Sequence, residues 1–150
     1  MDTPLQLEQY FFPHVKVTAD PGVLETTLEA SQDFTTGVDV LRTEDGGNNY
    51  QVSLSIKSYP ESEDKRTAYT VELVAIGFFN VISKKHDPDK LLRVNGASIL
   101  YAAAREFLIT ITSRGPWGPL MLPTTSFLTL YNKRQEAAKE DEEPKKEKTK

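Results

Sequence analysis

The chain has 150 residues, nine prolines, no cysteine and a formal net charge of −4. A chain of this length buries about two thirds of its surface in one domain, and the lack of cysteine excludes a disulfide framework and a thiolate zinc site. Residues 133–150 hold seven Lys or Arg and six Asp or Glu, so the rest of the chain is acidic. An acidic body argues against a nucleic-acid partner, because phosphate backbones bind clustered cations.

The N-terminal sequence MDTPLQLEQYFF lacks the basic and apolar regions of a signal peptide. No later run approaches the roughly 20 apolar residues that span a membrane. The absence of cysteine also suits a reducing compartment. We therefore expect a cytoplasmic protein that does not insert into a membrane.

Alternating apolar residues between positions 5 and 19 predict a first β-strand. The residues expected on one face occupy odd positions: Leu5, Leu7, Phe11, Val15, Val17 and Ala19. Gln9 and Pro13 interrupt the alternation. An internal proline favours an edge strand or a bulge.

Three further strands follow in the sequence. A second strand is predicted around Thr36 to Thr43, and the turn sequence EDGGNNY leads into a third, in which Tyr50, Val52, Leu54 and Ile56 alternate with polar residues. The fourth strand carries Tyr69, Val71, Leu73 and Ala75 on one face and Thr70, Glu72, Val74, Ile76 and Phe78 on the other. Apolar residues on both faces suggest a helix on one side and another chain on the other.

Two helices complete the predicted order. Residues 91–113 read as a helix with an apolar stripe of Leu100, Ala104, Phe107 and Ile111, ended by Gly115 and Pro116. A second helix should begin near Thr125 or Ser126. Strands followed by helices predict an α+β fold. We expect one domain over residues 1–132, with residues 133–150 forming the end of the last helix and a disordered, charged tail.

The connection SRGPWGPLMLPTTSF, residues 113–127, combines the only Trp of the chain, three prolines and a Leu-Met-Leu run. Loops normally lie on the surface, where their backbone contacts water. These large apolar side chains therefore either cover the end of the core or are displayed to a partner. The sequence alone leaves both alternatives open.

Candidate catalytic and metal-binding groups do not converge. Neither His14 nor His86 has a second His at ligand spacing. Ser83, His86 and Asp87 lie in one short charged segment without a nucleophile elbow or an oxyanion hole. We predict no catalytic residue, no metal site and no cofactor, and therefore a protein that is not an enzyme.

Several linked motifs resemble one family. ILYAAARE at 99–106, SRG at 113–115, Trp117, PLML at 119–122, and then Phe127 and Tyr131 resemble the C-terminal region of the SecB protein-export chaperones. The resemblance implies a four-stranded antiparallel sheet followed by two helices, assembled as a homotetramer, a dimer of dimers, with the long helix between sheets. It also implies an ATP-independent holdase that binds unfolded precursor proteins and passes them to the SecA motor.

The resemblance also assigns residues. The implied client-binding groove consists of Phe34, Val38, Val40, Trp117, Leu120, Leu122, Phe127, Leu130 and Tyr131. Glu72 corresponds to a SecA-binding position. The oligomer interface is expected at Val71, Leu73, Ala75, Leu100, Ala104 and Phe107.

The sequence departs from the family pattern at Ala102, Ala103 and Ser126, and its first strand lacks the expected acidic residues. These departures leave two alternatives open. One is a SecB-like chaperone dedicated to an antitoxin in a toxin-antitoxin module. The other is a ligand-binding or scaffold α+β protein.

Overall fold

The structure, a computed structural model, describes residues 3–21, 33–44, 47–60 and 67–146, with side chains through residue 141. The strands are β1 (Leu5–Ala19), β2 (Thr35–Arg42), β3 (Asn49–Ser58) and β4 (Tyr69–Val81). They are followed by α1 (Pro88–Leu91), a π-helical segment (Leu92–Gly96), α2 (Ala97–Thr112) and α3 (Phe127–Lys146). No helix in the described ranges is long and apolar enough to cross a membrane.

The four strands form one antiparallel sheet in the order β1-β4-β3-β2. Strands β2, β3 and β4 are consecutive neighbours, whereas β1 lies at the far edge beside β4. The predicted four-stranded antiparallel sheet followed by two helices is confirmed, with α1, the π-helical segment and α2 forming one continuous stretch. Most of the connection from β1 to β2, residues 22–32, lies outside the described residues.

Strand β1 is the edge strand that its proline suggested, and it is irregular at two places. Its pairing with β4 shifts between Leu7 and Gln9 and again between Phe11 and His14. Each shift moves the side chains that follow to the opposite face of the sheet. The prediction that Phe11 shares a face with Leu5 and Leu7 is therefore wrong. Phe12 packs against the core instead.

The core lies between one face of the sheet and α2. Every odd-numbered residue of β4 is buried in this core. The core residues of α2 include one row along the helix: Leu100, Ala104, Leu108 and Thr112. Ile111 was predicted to continue the apolar stripe, but it is exposed. The buried residues of this row follow one another at intervals of four, so Thr112 and not Ile111 comes after Leu108. Phe107 lies beside this row, and its ring stacks on Phe12 with centroids 4.7 Å apart.

The residues predicted for an oligomer interface lie mostly inside this core. Val71, Leu73, Ala75, Leu100 and Ala104 are at most 1% exposed within a single chain. The chain's own sheet and helix therefore cover them, and a second copy cannot reach them without opening the core. Phe107 is the member of the predicted set that keeps partial exposure. The faces of the sheet and of α2 that remain accessible are the outer ones.

The first helical stretch begins earlier than predicted. The Asp87 carboxylate accepts a hydrogen bond from the Asp89 amide (3.2 Å), and Pro88 occupies the first turn. Asp at the N-cap followed by Pro is a strong start signal. The Arg93 guanidinium then joins helix to sheet, because its Nε donates to Asp89 Oδ1 and its Nη1 to the Val38 carbonyl, both at 2.9 Å.

The last helix begins where the sequence predicts. Ser126 Oγ accepts a hydrogen bond from the Thr129 amide (3.2 Å), so Ser126 caps α3. The helix continues to Lys146, well into the charged segment that was expected as a tail. Residues 147–150 lie outside the described part of the chain.

Candidate functional site

The interhelix loop, residues 113–126, both contributes to the core and displays apolar side chains. Leu122 is buried, whereas the neighbouring Met121 is 63% exposed. Alternation of this kind follows from an extended backbone. Gly118 has a φ of 76°, which glycine adopts without steric cost, and it turns the loop just after Trp117. The two alternatives that the sequence left open therefore apply to different residues of the same loop.

Polar side chains of the core hold the first half of this loop. The hydroxyl of Tyr69 donates to the Gly118 carbonyl at 2.6 Å. Thr112 Oγ1 accepts from the Leu120 amide at 2.7 Å while it donates to the Leu108 carbonyl at 2.5 Å. These bonds satisfy backbone groups at the sheet end of the loop, so its conformation is fixed before anything binds to it.

The Trp117 side chain is anchored as well. Its indole N–H donates to the Asp20 carbonyl at 2.9 Å, and its ring packs against the core while it keeps partial exposure. This bond joins the loop to the segment that follows β1. Trp117 is therefore both a structural residue and part of the accessible apolar surface.

Tyr101 holds the second half of the loop. Its hydroxyl donates to the Pro123 carbonyl and accepts from Thr125 Oγ1 at 3.2 Å. Its ring meets the buried Phe127 edge to face, with centroids 5.5 Å apart. The start of α3 is thus positioned against α2 by both apolar and polar contacts.

Thr112→Val is expected to lower the free energy of unfolding by about 1–3 kcal/mol, because the Leu120 amide loses its acceptor and valine offers none. Urea unfolding measures the loss. The emission of Trp117, the only tryptophan, reports in the same experiment whether the loop has moved into water.

Thr110→Val is the matched control. Thr110 Oγ1 also donates to a carbonyl four residues earlier, that of Glu106, at 3.0 Å, but it lies on the exposed side of α2. We expect its effect to stay within about 0.5 kcal/mol. Equal losses for the two variants would show that the bond to the loop contributes nothing.

The exposed part of the loop continues onto α3. We use the name loop surface for Trp117, Leu120, Met121, Leu128 and Leu130. Met121, Leu128 and Leu130 are exposed, and Trp117 and Leu120 are partly buried against the core. Large apolar side chains that remain accessible next to a rigid backbone are suited to contacts with another polypeptide.

The remaining residues predicted for the groove fall into three groups. Phe34, Val38 and Val40 are partly buried against the same core, near or on the edge strand β2. Leu122 and Phe127 are buried, so they support the loop from below and offer very little surface to a partner in this conformation. Tyr131 is partly exposed on α3, with Lys90 Nζ 5.9 Å from the centre of its ring.

An open cleft of about 390 Å³ lies between α2 and the loop. Its apolar lining comes from Tyr101, Ala102, Ile109, Met121 and Phe127. Polar side chains complete it: Ser98, Arg105, Glu106, Thr124 and Thr125. The sequence singled out neither this cleft nor the anchoring roles of Tyr69, Tyr101 and Thr112. The signal that could have indicated these anchoring roles is the presence of hydroxyl groups at otherwise apolar positions of a strand and a helix.

Glu72 lies on the face of the sheet opposite the core. His14 Nε2 is 3.2 Å from Glu72 Oε2, and Lys16 is its cross-strand neighbour on β1. A hydrogen bond from the Tyr59 hydroxyl, followed by one from His14, holds the pKa of Glu72 below its ordinary value. The bond to Glu72 in turn raises the pKa of Tyr59. The carboxylate is thus ionised and already engaged by neighbouring side chains.

No metal-binding group of three or more His, Cys, Asp or Glu occurs within the described ranges. Ser83 Oγ and His86 Nδ1 are 2.7 Å apart, but both residues are exposed in a short connection. The described surface thus defines a class: a small α+β protein that presents apolar side chains from an anchored loop.

Comparison with known proteins identifies the family. The chain belongs to the SecB family, whose sequence profile, preprotein translocase subunit SecB, matches residues 15–138. The protein-export protein SecB of Afipia carboxidovorans is 30% identical over 112 residues, which cover 74% of this chain and 68% of the relative. That of Rhodopseudomonas palustris strain TIE-1 is 30% identical over 100 residues, which cover 66% of this chain and 63% of the relative.

A solved structure shares the fold. It is a SecB-like chaperone of Mycobacterium tuberculosis in complex with a ChAD peptide from the HigA1 antitoxin, and it matches with a TM-score of 0.63 at 14% sequence identity. The match covers 82% of this chain and 91% of the other. The resemblance inferred from the motifs of α2 and the loop is therefore confirmed at the level of family and fold.

Proposed function

We propose that this protein is a holdase, an ATP-independent chaperone that binds unfolded polypeptides and prevents their aggregation. The observation that carries the proposal is the loop surface, where exposed Met121, Leu128 and Leu130 lie on a backbone anchored at both ends. Membership of the SecB family supports the same function. Phe34, Val38, Val40 and Tyr131 extend the proposed client-binding surface.

Such a surface binds clients without reading a specific sequence. Burying one large apolar side chain contributes about 1.5–3 kcal/mol before the costs of ordering are subtracted. The thioether of Met121 adapts to side chains of different shape. One surface therefore binds weakly, and an unfolded chain is held firmly only when it meets several surfaces at once.

The proposal includes a homo-oligomer, a dimer of dimers, which supplies those several surfaces. The outer face of α2 is the part of the described chain best suited to assembly, because Ile99 is exposed there beside the small residues Ala102 and Ala103. Small side chains let a second helix approach closely. The proposed clients are unfolded precursor proteins, and delivery to SecA through Glu72 stays a prediction of the family resemblance.

The proposal is tested by the aggregation of a chemically unfolded client that is diluted into buffer. The protein is expected to suppress light scattering at about one oligomer per client chain, with or without ATP, and to remain bound to the client in size-exclusion chromatography. An equal mass of serum albumin controls for crowding. Unchanged aggregation at a molar excess of the oligomer would contradict the proposal.

A further inference from the structure

Strand β2 forms one edge of the sheet, and its backbone groups point alternately towards β3 and towards the open side. The Thr43 amide donates to the Asn49 carbonyl at 3.0 Å, and Thr43 continues the regular pairing of β2 with β3. Bonded and non-bonded pairs alternate along an antiparallel ladder. The odd-numbered residues of β2 are therefore bonded to β3, whereas the even-numbered residues, Val38 among them, direct their amides and carbonyls away from it.

Arg93 occupies this edge at Val38. Its Nη1 donates to the Val38 carbonyl at 2.9 Å, which is a carbonyl directed away from β3. Its Nε donates to Asp89 Oδ1 at 2.9 Å, four residues earlier on the same helical stretch, and this ion pair orients the guanidinium. The Arg93 side chain is only 16% exposed. The guanidinium thus takes the place of the amide that a further strand would donate to Val38.

The helical layer holds Arg93 in this position. Arg93 follows Leu92, which has no exposed surface, in the π-helical segment, and this segment contacts β2. Three residues before Arg93, the Nζ of Lys90 lies 5.9 Å from the centre of the Tyr131 ring on α3. One short stretch of chain therefore contacts both β2 and α3, and each of these elements carries residues of the proposed client-binding surface.

An edge strand with open backbone groups pairs readily with another extended chain. A chain added to β2 would need the Val38 carbonyl as an acceptor, because Val38 lies in the middle of the strand. Arg93 would then have to give up its bond to Val38, and a mostly buried cation that loses a partner is costly. The side chains of Val38 and Val40 pack against the core and remain partly accessible.

We propose that Arg93 is a selectivity residue of the client-binding surface. It closes the β2 edge to strand pairing, so clients are bound through their side chains and not through the hydrogen bonds of their backbone. This inference rests on the proposed function and specifies which chemical features of an unfolded chain the surface recognises. An extended segment gains nothing from its backbone amides when it binds beside β2.

The test uses two labelled peptides of one sequence rich in Leu and Phe, the second of which carries N-methyl groups on its central residues. N-methylation removes the backbone donors that strand pairing needs and keeps every side chain. Fluorescence anisotropy with the full chain should give affinities for the two peptides within about twofold of each other. In Arg93→Met, the unmethylated peptide should bind about fivefold more tightly than the methylated one, because the Val38 carbonyl becomes available.

Two further variants control for charge and for the bond itself. Lys85→Met removes one cation from the exposed connection to α1, and it should leave the ratio of the two affinities unchanged. Arg93→Lys keeps a donor for the Val38 carbonyl, so it should restore nearly equal affinities. A ratio that shifts as much in Lys85→Met as in Arg93→Met would overturn the proposal, because the effect would then follow net charge.

The ratio of affinities separates selectivity from a purely structural role. Loss of packing alone in Arg93→Met would weaken both peptides alike and leave the ratio unchanged, which would overturn the proposal. A tenfold preference of the unsubstituted protein for the unmethylated peptide would overturn it without any variant. Suppression of client aggregation is measured separately. If suppression is intact, either result rejects the role of Arg93 alone, whereas binding of neither peptide together with unchanged aggregation rejects the proposed function as well.

Discussion

Leu100→Ala is expected to lower the free energy of unfolding by about 2–5 kcal/mol, which is the cost of a cavity in a well-packed core. Leu100 has no exposed surface within a single chain and faces Gly77 of the sheet across the core. The family resemblance assigned it to an oligomer interface instead. Urea unfolding at two protein concentrations distinguishes the two roles, because a loss within the core is independent of concentration and a loss at an interface is not.

Ile99→Ala is the control one residue away. Ile99 is 40% exposed on the outer face of α2, so its truncation should cost less than about 1 kcal/mol in the isolated chain. Light scattering of both variants gives the oligomer mass. An intact, fully stable Leu100→Ala chain that only dissociates would contradict the position of Leu100 in the core.

Met121→Ser combined with Leu130→Ser is expected to weaken binding of an unfolded client roughly ten- to hundredfold, because two exposed apolar contacts are lost from the loop surface. Neither side chain is buried, so stability should change by no more than about 0.5 kcal/mol. The affinity is measured by anisotropy of a labelled client that cannot fold, and the stability by urea unfolding of the same preparations.

Leu41→Ser is the matched control for this pair. Leu41 is 62% exposed on the edge strand β2, close to the 63% of Met121, but it lies on the outer face, across from Gln51. Client binding should be unchanged in this variant. If Leu41→Ser weakened client binding as much as the double variant does, the binding would depend on general surface hydrophobicity and not on the loop surface.

The regular strands were predictable because their side chains alternate. Both faces of β4 agree with the sequence interpretation, and Pro13 correctly indicated an edge strand with a bulge. The position of Phe11 was not predictable. The shift in pairing near Glu8 depends on how β1 aligns with β4, and the sequence of β1 alone does not determine that alignment. Alternation by itself assumes a regular register.

The site was predictable at the level of its loop but not of its anchors. Composition indicated that Trp117 and the Leu-Met-Leu run were unusual, and the family motifs placed them in a binding surface. Which of Leu120, Met121 and Leu122 points outwards depends on two hydrogen bonds to buried side chains. The Tyr69 hydroxyl donates to the Gly118 carbonyl, and Thr112 Oγ1 accepts from the Leu120 amide. Contacts of this kind arise from tertiary packing and have no local signature.

Most of the residues predicted for an oligomer interface lie on the buried sides of β4 and α2. The family implies that the long helix lies between sheets, and Leu100 and Ala104 are the apolar residues that periodicity selects. In the structure the sheet of the same chain already covers that row. The opposite side of α2 carries Ile99, Ala102 and Ile109, which keep at least partial exposure.

In the proposed function, the loop surface contacts an unfolded polypeptide directly. The chain has no cysteine, so Met121→Cys and Leu41→Cys each accept one environment-sensitive fluorophore at a defined place. Addition of an unfolded client should shift the emission to shorter wavelength at position 121 and leave it unchanged at position 41, because only the first site is buried by the client. Equal shifts at both positions, or a shift at position 41 alone, would contradict the account.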